Sequence, residues 1–168
     1  MIKVVYGAPA SGKSTYVKKH IKDNDIVYDY DALMQCLTLK DKYDRNNNAS
    51  YLITFLRSSI IKQHTMNNNK IDNIWIITTN ISDRLKKDLS VIPDEDIEYI
   101  KMKTSLKTCL KRIDEDEARK SLAEDMKKAV YKWFEEYKDV NLNEKQKTTY
   151  ELIVESLKEQ NDLLNKLI

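Results

Sequence analysis

Apolar and polar positions change period several times along this chain, and each change marks an element. Ile2 to Tyr6 (Ile-Lys-Val-Val-Tyr) is a β-branched and aromatic run suited to a buried strand, whereas Thr15 to Lys22 carries Val17 and Ile21 at i, i+4, as a helix would. Ile26 to Asp29 predicts a second short strand, and Ser50 to His64 a helix with Leu52, Phe55, Leu56, Ser59 and Ile60 on its inward face. Ile71 to Thr79 is the most apolar segment and has the pattern of a central strand buried on both faces of a parallel sheet. Ser82 is placed to cap a short helix with Leu85 and Leu89 inward, closed before Pro93. Asp96 to Met102 predicts a further strand. Thr104 is the expected cap of a helix with Leu106, Cys109, Leu110 and Ile113 on its core face, and Leu122, Met126, Val130, Trp133 and Tyr137 form the stripe of a longer helix from Leu122 to Tyr137. The asparagine runs Asn46 to Asn48 and Asn67 to Asn69 read as exposed loops around the helix at 50–64. Strands alternating with helices predict a three-layer α/β fold with a mostly parallel sheet, whose ligand would sit at the carboxyl edge of the strands.

The pattern shifts after Asp139. From Glu144 to Ile168, Tyr150, Leu157 and Leu164 recur every seven positions, with Ile153, Val154, Leu163 and Leu167 beside them. This predicts a domain over 1–138 followed by an amphipathic C-terminal helix within 139–168. Its seam, about 37 Å long over 144–168, either joins a homodimer or folds back on its own domain.

Composition narrows the class. A chain of 168 residues buries enough surface to fold without a disulfide or a structural metal, and Cys36 and Cys109, 73 positions apart, supply neither, so a cytoplasmic protein is expected. No apolar run approaches the ~18 residues of a membrane span. The charge balance of 29 Lys+Arg against 27 Asp+Glu neither implies nor excludes nucleic acid, and the basic series Lys101, Lys103, Lys107 and Lys111 is nearly balanced by acids nearby. The chain has only two glycines. At ordinary usage it would hold about a dozen.

Both glycines lie in one motif. Gly7-Ala8-Pro9-Ala10-Ser11-Gly12-Lys13-Ser14, followed by Thr15, matches the phosphate-binding pattern G-x-x-x-x-G-K-S/T at every fixed position, between a predicted strand and a predicted helix. Glycine permits positive φ and close backbone approach, so successive N–H groups point into a concavity that holds phosphate. Residues Gly7, Ala8, Pro9, Ala10, Ser11, Gly12, Lys13, Ser14 and Thr15 are the expected nucleotide cradle for ATP or GTP. Lys13 would reach the β- and γ-phosphates, and the Ser14 hydroxyl would take a position on Mg²⁺.

The second strand ends Asp29-Tyr30-Asp31-Ala32-Leu33, with two carboxylates 16 and 18 positions after Lys13. One acid could hold Mg²⁺ through water while the other accepts the proton of an attacking hydroxyl, and either could instead cap the helix that follows. The third strand ends Ile76-Ile77-Thr78-Thr79-Asn80 without an acid. That argues against motor-type ATPases and shifts the metal role to Asp29.

The Gly7-to-Thr15 loop, the Asp-x-Asp, Thr79-Asn80 and the Lys111-Arg112 segment resemble the P-loop kinases that include bacteriophage polynucleotide 5′-hydroxyl kinase and the zeta-toxin kinases. They also resemble small phage-encoded kinase-like proteins with Asp-x-Asp-Ala-Leu after the second strand. The resemblance covers roughly residues 1–138 and implies a nucleotide-kinase-like P-loop fold. It makes Asp31 the general base and puts a lid arginine at Arg119 or, second, Arg112. Where the polynucleotide kinases carry an arginine for the acceptor's phosphate, this chain has Met34.

The expected function is transfer of the γ-phosphate of ATP to a hydroxyl, with the 5′ end of a nucleic acid as leading acceptor and a small metabolite or nucleoside behind it. The alternatives are a nucleotide-dependent interaction module working through the C-terminal segment and a zeta-toxin-like kinase of a sugar nucleotide. His20 and His64 read as surface residues on helices, and Tyr28, Tyr30 and Trp133 as core.

Overall fold

The computed structural model describes residues 1–40, 46–64, 66 and 70–137. Over these the chain gathers into two compact units: Met1–Gly7 with Ser11–Lys103, and Ala8–Ala10 with the chain from Thr104 onward. The predicted segment 139–168 and the asparagine run 67–69 lie outside the described residues.

The first unit is built on four parallel strands, β1 (Ile2–Tyr6), β2 (Ile26–Asp29), β3 (Ile74–Thr78) and β4 (Ile97–Lys101), in the order β2-β3-β1-β4. Side chains alternate across the sheet. Ile2, Val4, Tyr28, Ile74 and Ile76 face one core, while Val5, Trp75 and Ile77 face the other. β3 is flanked by strands on both sides, and its first four residues are all buried, as its unbroken apolar run requires.

Chain direction sets which face each helix covers. Helix α1 (Lys13–His20) carries the chain from β1 outward to β2 and packs Val17 on the Val5–Trp75 face. Helices α2 (Tyr30–Thr38), α3 (Asn47–His64) and α4 (Asp83–Leu89) belong to the return path through β3 to β4 and pack Met34, Ala49, Ile53, Ile61, Leu85 and Leu89 on the opposite face. A right-handed crossover that reverses its direction of travel must change faces. The result is an α/β unit with helices on both sides of a parallel sheet, consistent with the expected three-layer fold.

Three local expectations change. The inward face of α3 consists of Ala49, Ile53 and Ile61, with Ile60 partly buried, whereas Leu52, Phe55 and Leu56 point to solvent. Small Ala49 faces the core, and the apolar residues at 52–56 are left on the far side. Asn46 to Asn48 are not a loop: the Asn46 side chain accepts from Ala49 N at 3.1 Å, and Asn47 and Asn48 begin the helix. The cap of α5 (Leu106–Asp114) is Ser105 rather than Thr104, because Ser105 Oγ is the atom that accepts from Thr108 N, at 3.2 Å.

At the amino end of β2 lies a buried polar cluster. Asp25 accepts from Trp75 Nε1 at 2.8 Å, Asn73 Nδ2 at 2.7 Å and Lys22 N at 3.1 Å. Burial alone pushes its carboxyl up, but the hydrogen bonds outweigh it and hold the group below its ordinary value. Arg57 of α3 donates through Nε and Nη2 to Asp88 of α4, at 3.0 and 2.8 Å, and Ser58 Oγ donates to the other Asp88 oxygen at 2.9 Å. Tyr28 lies near this pair, with burial raising its phenol to about 12 against the opposing pull of Arg57.

The second unit packs α5 against α6 (Ala123–Tyr137), with a 3-10 turn (Glu117–Leu122) between them. Leu106, Cys109 and Ile113 meet Val130, Tyr131, Trp133 and Phe134, together with Ala8. Lys127 reaches Asp114 at 2.7 Å, which raises its ammonium value. Trp133 and Tyr28 are core residues, as expected. Among the described residues Cys36 is exposed and Cys109 buried, and no helix is long and apolar enough to cross a membrane.

Candidate functional site

The segment from Gly7 to Ser14 leaves the carboxyl end of β1 and enters α1. Gly12 caps the helix with φ 93° and ψ 19°, a left-handed conformation that a β-carbon disfavours. Gly7 is required for space: a β-carbon there would stand 2.8 Å from Met102 Cβ and 3.1 Å from Ser11 Oγ. Gly7 therefore serves close approach and Gly12 a left-handed turn, and Ala10 also takes positive φ, at 58°. Lys13 Nζ donates to Gly7 O at 2.8 Å, so its amine is held across the loop.

Asp29 joins the loop to the second strand. Its Oδ2 accepts from Ser14 Oγ at 3.0 Å, and its Oδ1 accepts from Asp31 N and Ala32 N at 3.1 and 3.3 Å. Asp29 is therefore the cap of α2, and it engages the loop hydroxyl through its other oxygen. This answers which acid caps the helix. Asp31 lies in the first turn of α2, two residues beyond the cap. Tyr30, between them, donates its hydroxyl to Ser50 Oγ at 2.6 Å and so ties the first turn of α3 to the carboxyl end of β2. Spacing alone could not have revealed Ser50, 20 positions away and serine like many others in the chain.

The remaining predicted residues are distributed as follows. Met34 is fully buried in the core. Thr78 Oγ1 donates to Asn80 O at 2.8 Å, closing the turn after β3. In the second unit Arg112 Nη1 donates to Ala10 O at 3.1 Å. Arg119 lies in the 3-10 turn, and its side chain is outside the described part. His20 is exposed, stacked on Tyr16 with ring centroids 4.1 Å apart. Among the described residues no three His, Cys, Asp or Glu side chains gather as a metal cluster. A hard divalent ion here would draw most of its oxygen ligands from phosphate and water, with Ser14 and Asp29 beside it.

No protein-family model matches the chain, and no curated protein matches it. Among solved structures the chain is similar to a chain of the Pnkp1/Rnl/Hen1 RNA repair complex. The TM-score is 0.57 at 20% identity, covering 80% of this chain and 45% of that one. The chain thus spans less than half of that neighbour's length, and the likeness is one of fold.

Proposed function

We propose that this protein is an ATP-dependent phosphotransferase that moves the γ-phosphate to a hydroxyl acceptor, with the 5′-hydroxyl end of a nucleic acid as the leading acceptor. The observation that carries this reading is the Ser14–Asp29 hydrogen bond at 3.0 Å. It joins the serine of a complete phosphate-binding motif to a carboxylate at the end of β2, with a second carboxylate, Asp31, in the first turn of α2. The structural neighbour's place in an RNA repair complex agrees with a nucleic-acid acceptor.

The residues fit the implied ligand. Gly7 lets the loop pass close to Met102 and Gly12 supplies the left-handed turn into α1, a conformation in which successive backbone N–H groups could face a phosphate, and the Lys13 amine lies across the same loop. Mg²⁺ with ATP would supply neutralisation of charge on the β- and γ-phosphates. Ser14 and Asp29 would hold that ion, Asp29 through water. Asp31 would accept the proton of the acceptor hydroxyl as its oxygen bonds to the γ-phosphorus and the bond to the β-phosphate oxygen breaks. By the resemblance, Arg119 or Arg112 would be the arginine for the equatorial phosphate charge.

The test is transfer of label from [γ-³²P]ATP with Mg²⁺ to 5′-hydroxyl DNA and RNA oligonucleotides and to a nucleoside pool. Asp31→Asn should lower transfer by about 10²- to 10⁴-fold and leave ATP affinity within a few fold. Label released only as phosphate, equally in both proteins, would replace this reading with that of a nucleotide-dependent interaction module.

A further inference from the structure

Helix α3 is apolar on two sides. Ala49, Ile53 and Ile61 fill the core, while Tyr51 (67% exposed), Leu52, Phe55 (62% exposed) and Leu56 form a second, solvent-facing stripe over consecutive turns. A helix with a covered apolar face ordinarily turns a polar one to water, so a contiguous outward stripe marks a binding surface. Its position is set by the 2.6 Å bond from Tyr30 to Ser50. Tyr30 directly precedes Asp31, and Ser50 directly precedes Tyr51, so the aromatic stripe begins one residue from a bond that ends one residue from the proposed base.

Two further observations indicate the occupant. Helix α3 has no carboxylate anywhere in its 18 residues, and its spacing puts Lys62 on the same face as Tyr51 and Phe55, while Arg57 is turned away and spent on Asp88, so the stripe itself carries no charge that repels a phosphate-bearing strand. Met34, fully buried, cannot grip the acceptor's phosphate. Rings at i, i+4 on an exposed helix face offer a stacking platform that tolerates any base.

We infer that Tyr51 and Phe55, flanked by Leu52 and Leu56, form the acceptor subsite and stack against the terminal base of a single-stranded nucleic acid whose 5′-hydroxyl is presented to Asp31. The inference rests on the kinase reading for its chemistry, but the stacking surface can be tested separately.

The experiment compares wild type, Tyr51→Ala, Phe55→Ala and Phe55→Tyr. The acceptors are a 5′-hydroxyl oligonucleotide and the same strand with an abasic 5′-terminal residue. Transfer is measured together with oligonucleotide binding by anisotropy and particle mass by sedimentation. Phe55→Ala should raise KM for the normal strand by about fivefold or more with kcat within twofold, and Phe55→Tyr should restore it. The abasic strand should show a similar penalty with wild type and little further penalty with Phe55→Ala. An unchanged KM, an equal penalty on both strands, or a change in particle mass in place of KM would overturn the subsite, the last by making the stripe a protein-docking face. If wild type transfers to no acceptor yet binds the strand in a Phe55-dependent way, the surface stands and the kinase reading falls. If transfer occurs without dependence on Phe55, the reverse holds. Wild type that binds no strand would overturn the subsite.

Discussion

An aspartate stands at each end of the second strand, and the two do opposite work. At the amino end Asp25 is buried and takes three donors, Trp75 Nε1, Asn73 Nδ2 and Lys22 N, so its charge is spent within the fold. At the carboxyl end Asp29 divides its oxygens between the backbone of α2 and the hydroxyl of Ser14. A carboxylate saturated by rigid donors is a structural anchor. One that shares an oxygen with a rotatable serine hydroxyl can exchange that partner for an ion or a water molecule. The amino-edge acid therefore serves the fold, and the carboxyl-edge acid is the one that the proposed chemistry would use.

Removing the carboxyl-edge acid should have the larger functional effect. Asp29→Ala is expected to raise the Mg²⁺ concentration required for half-maximal transfer by about 10- to 100-fold, as loss of outer-sphere support does elsewhere. It should also cost about 1 kcal/mol of stability through the lost helix cap. A Mg²⁺ titration with urea unfolding of the same variant measures both, and a purely structural cap would move only the second.

Removing the amino-edge acid should reverse that balance. Asp25→Ala leaves the indole N–H of Trp75 and the Asn73 amide without their carboxylate, an expected loss of about 1.5–3 kcal/mol by urea unfolding. Transfer per folded molecule should stay within twofold, and a large fall in turnover would break the comparison.

The same residue predicts a pH dependence. Its folded carboxyl titrates below the ordinary value of 3.8, so its contribution is present above that value and is lost as the pH falls through the lower folded value. Wild type should lose part of its advantage over Asp25→Ala in that acid window, and a constant difference between the two would count against the charged hydrogen bonds.

The smallest effect supplies the baseline. Glu98 pairs with Lys3 at 3.1 Å across β4 and β1, but its side chain is 48% exposed. Glu98→Gln should change stability by only about 0–1 kcal/mol, which denaturant midpoints can resolve.

The outcome for particular elements shows what pattern reading can reach. β1 and β2 have the predicted bounds because short β-branched runs end at glycine and at aspartate, residues that stop strands for local reasons. The predicted central strand is shorter, Ile74–Thr78, because Asp72 N bonds to Asn24 O before sheet pairing begins. Periodicity points to the wrong face of α3 because apolar residues occupy both sides of that helix, and it cannot rank two stripes when packing selects the one bearing Ala49. Among the candidate site residues, the placing of Gly7–Ser14 between β1 and α1 and of both acids at the end of β2 and start of α2 follows from the local pattern. The division between the two acids does not, since Ser14 and Asp29 are 15 positions apart.

The sequence by itself determined the strand-loop-helix opening, the α/β alternation and the positions of the 7–15 loop and the 29–31 acids within it, because these depend on local spacing and side-chain type. Only the tertiary structure decided that Asp29 rather than Asp31 caps α2, that Asp25 anchors Trp75, that Arg112 reaches Ala10, and which face of α3 meets water. Each depends on partners far apart in the chain or on competition between apolar surfaces, and hydrogen-bond geometry and packing settle such matters only after the chain has folded.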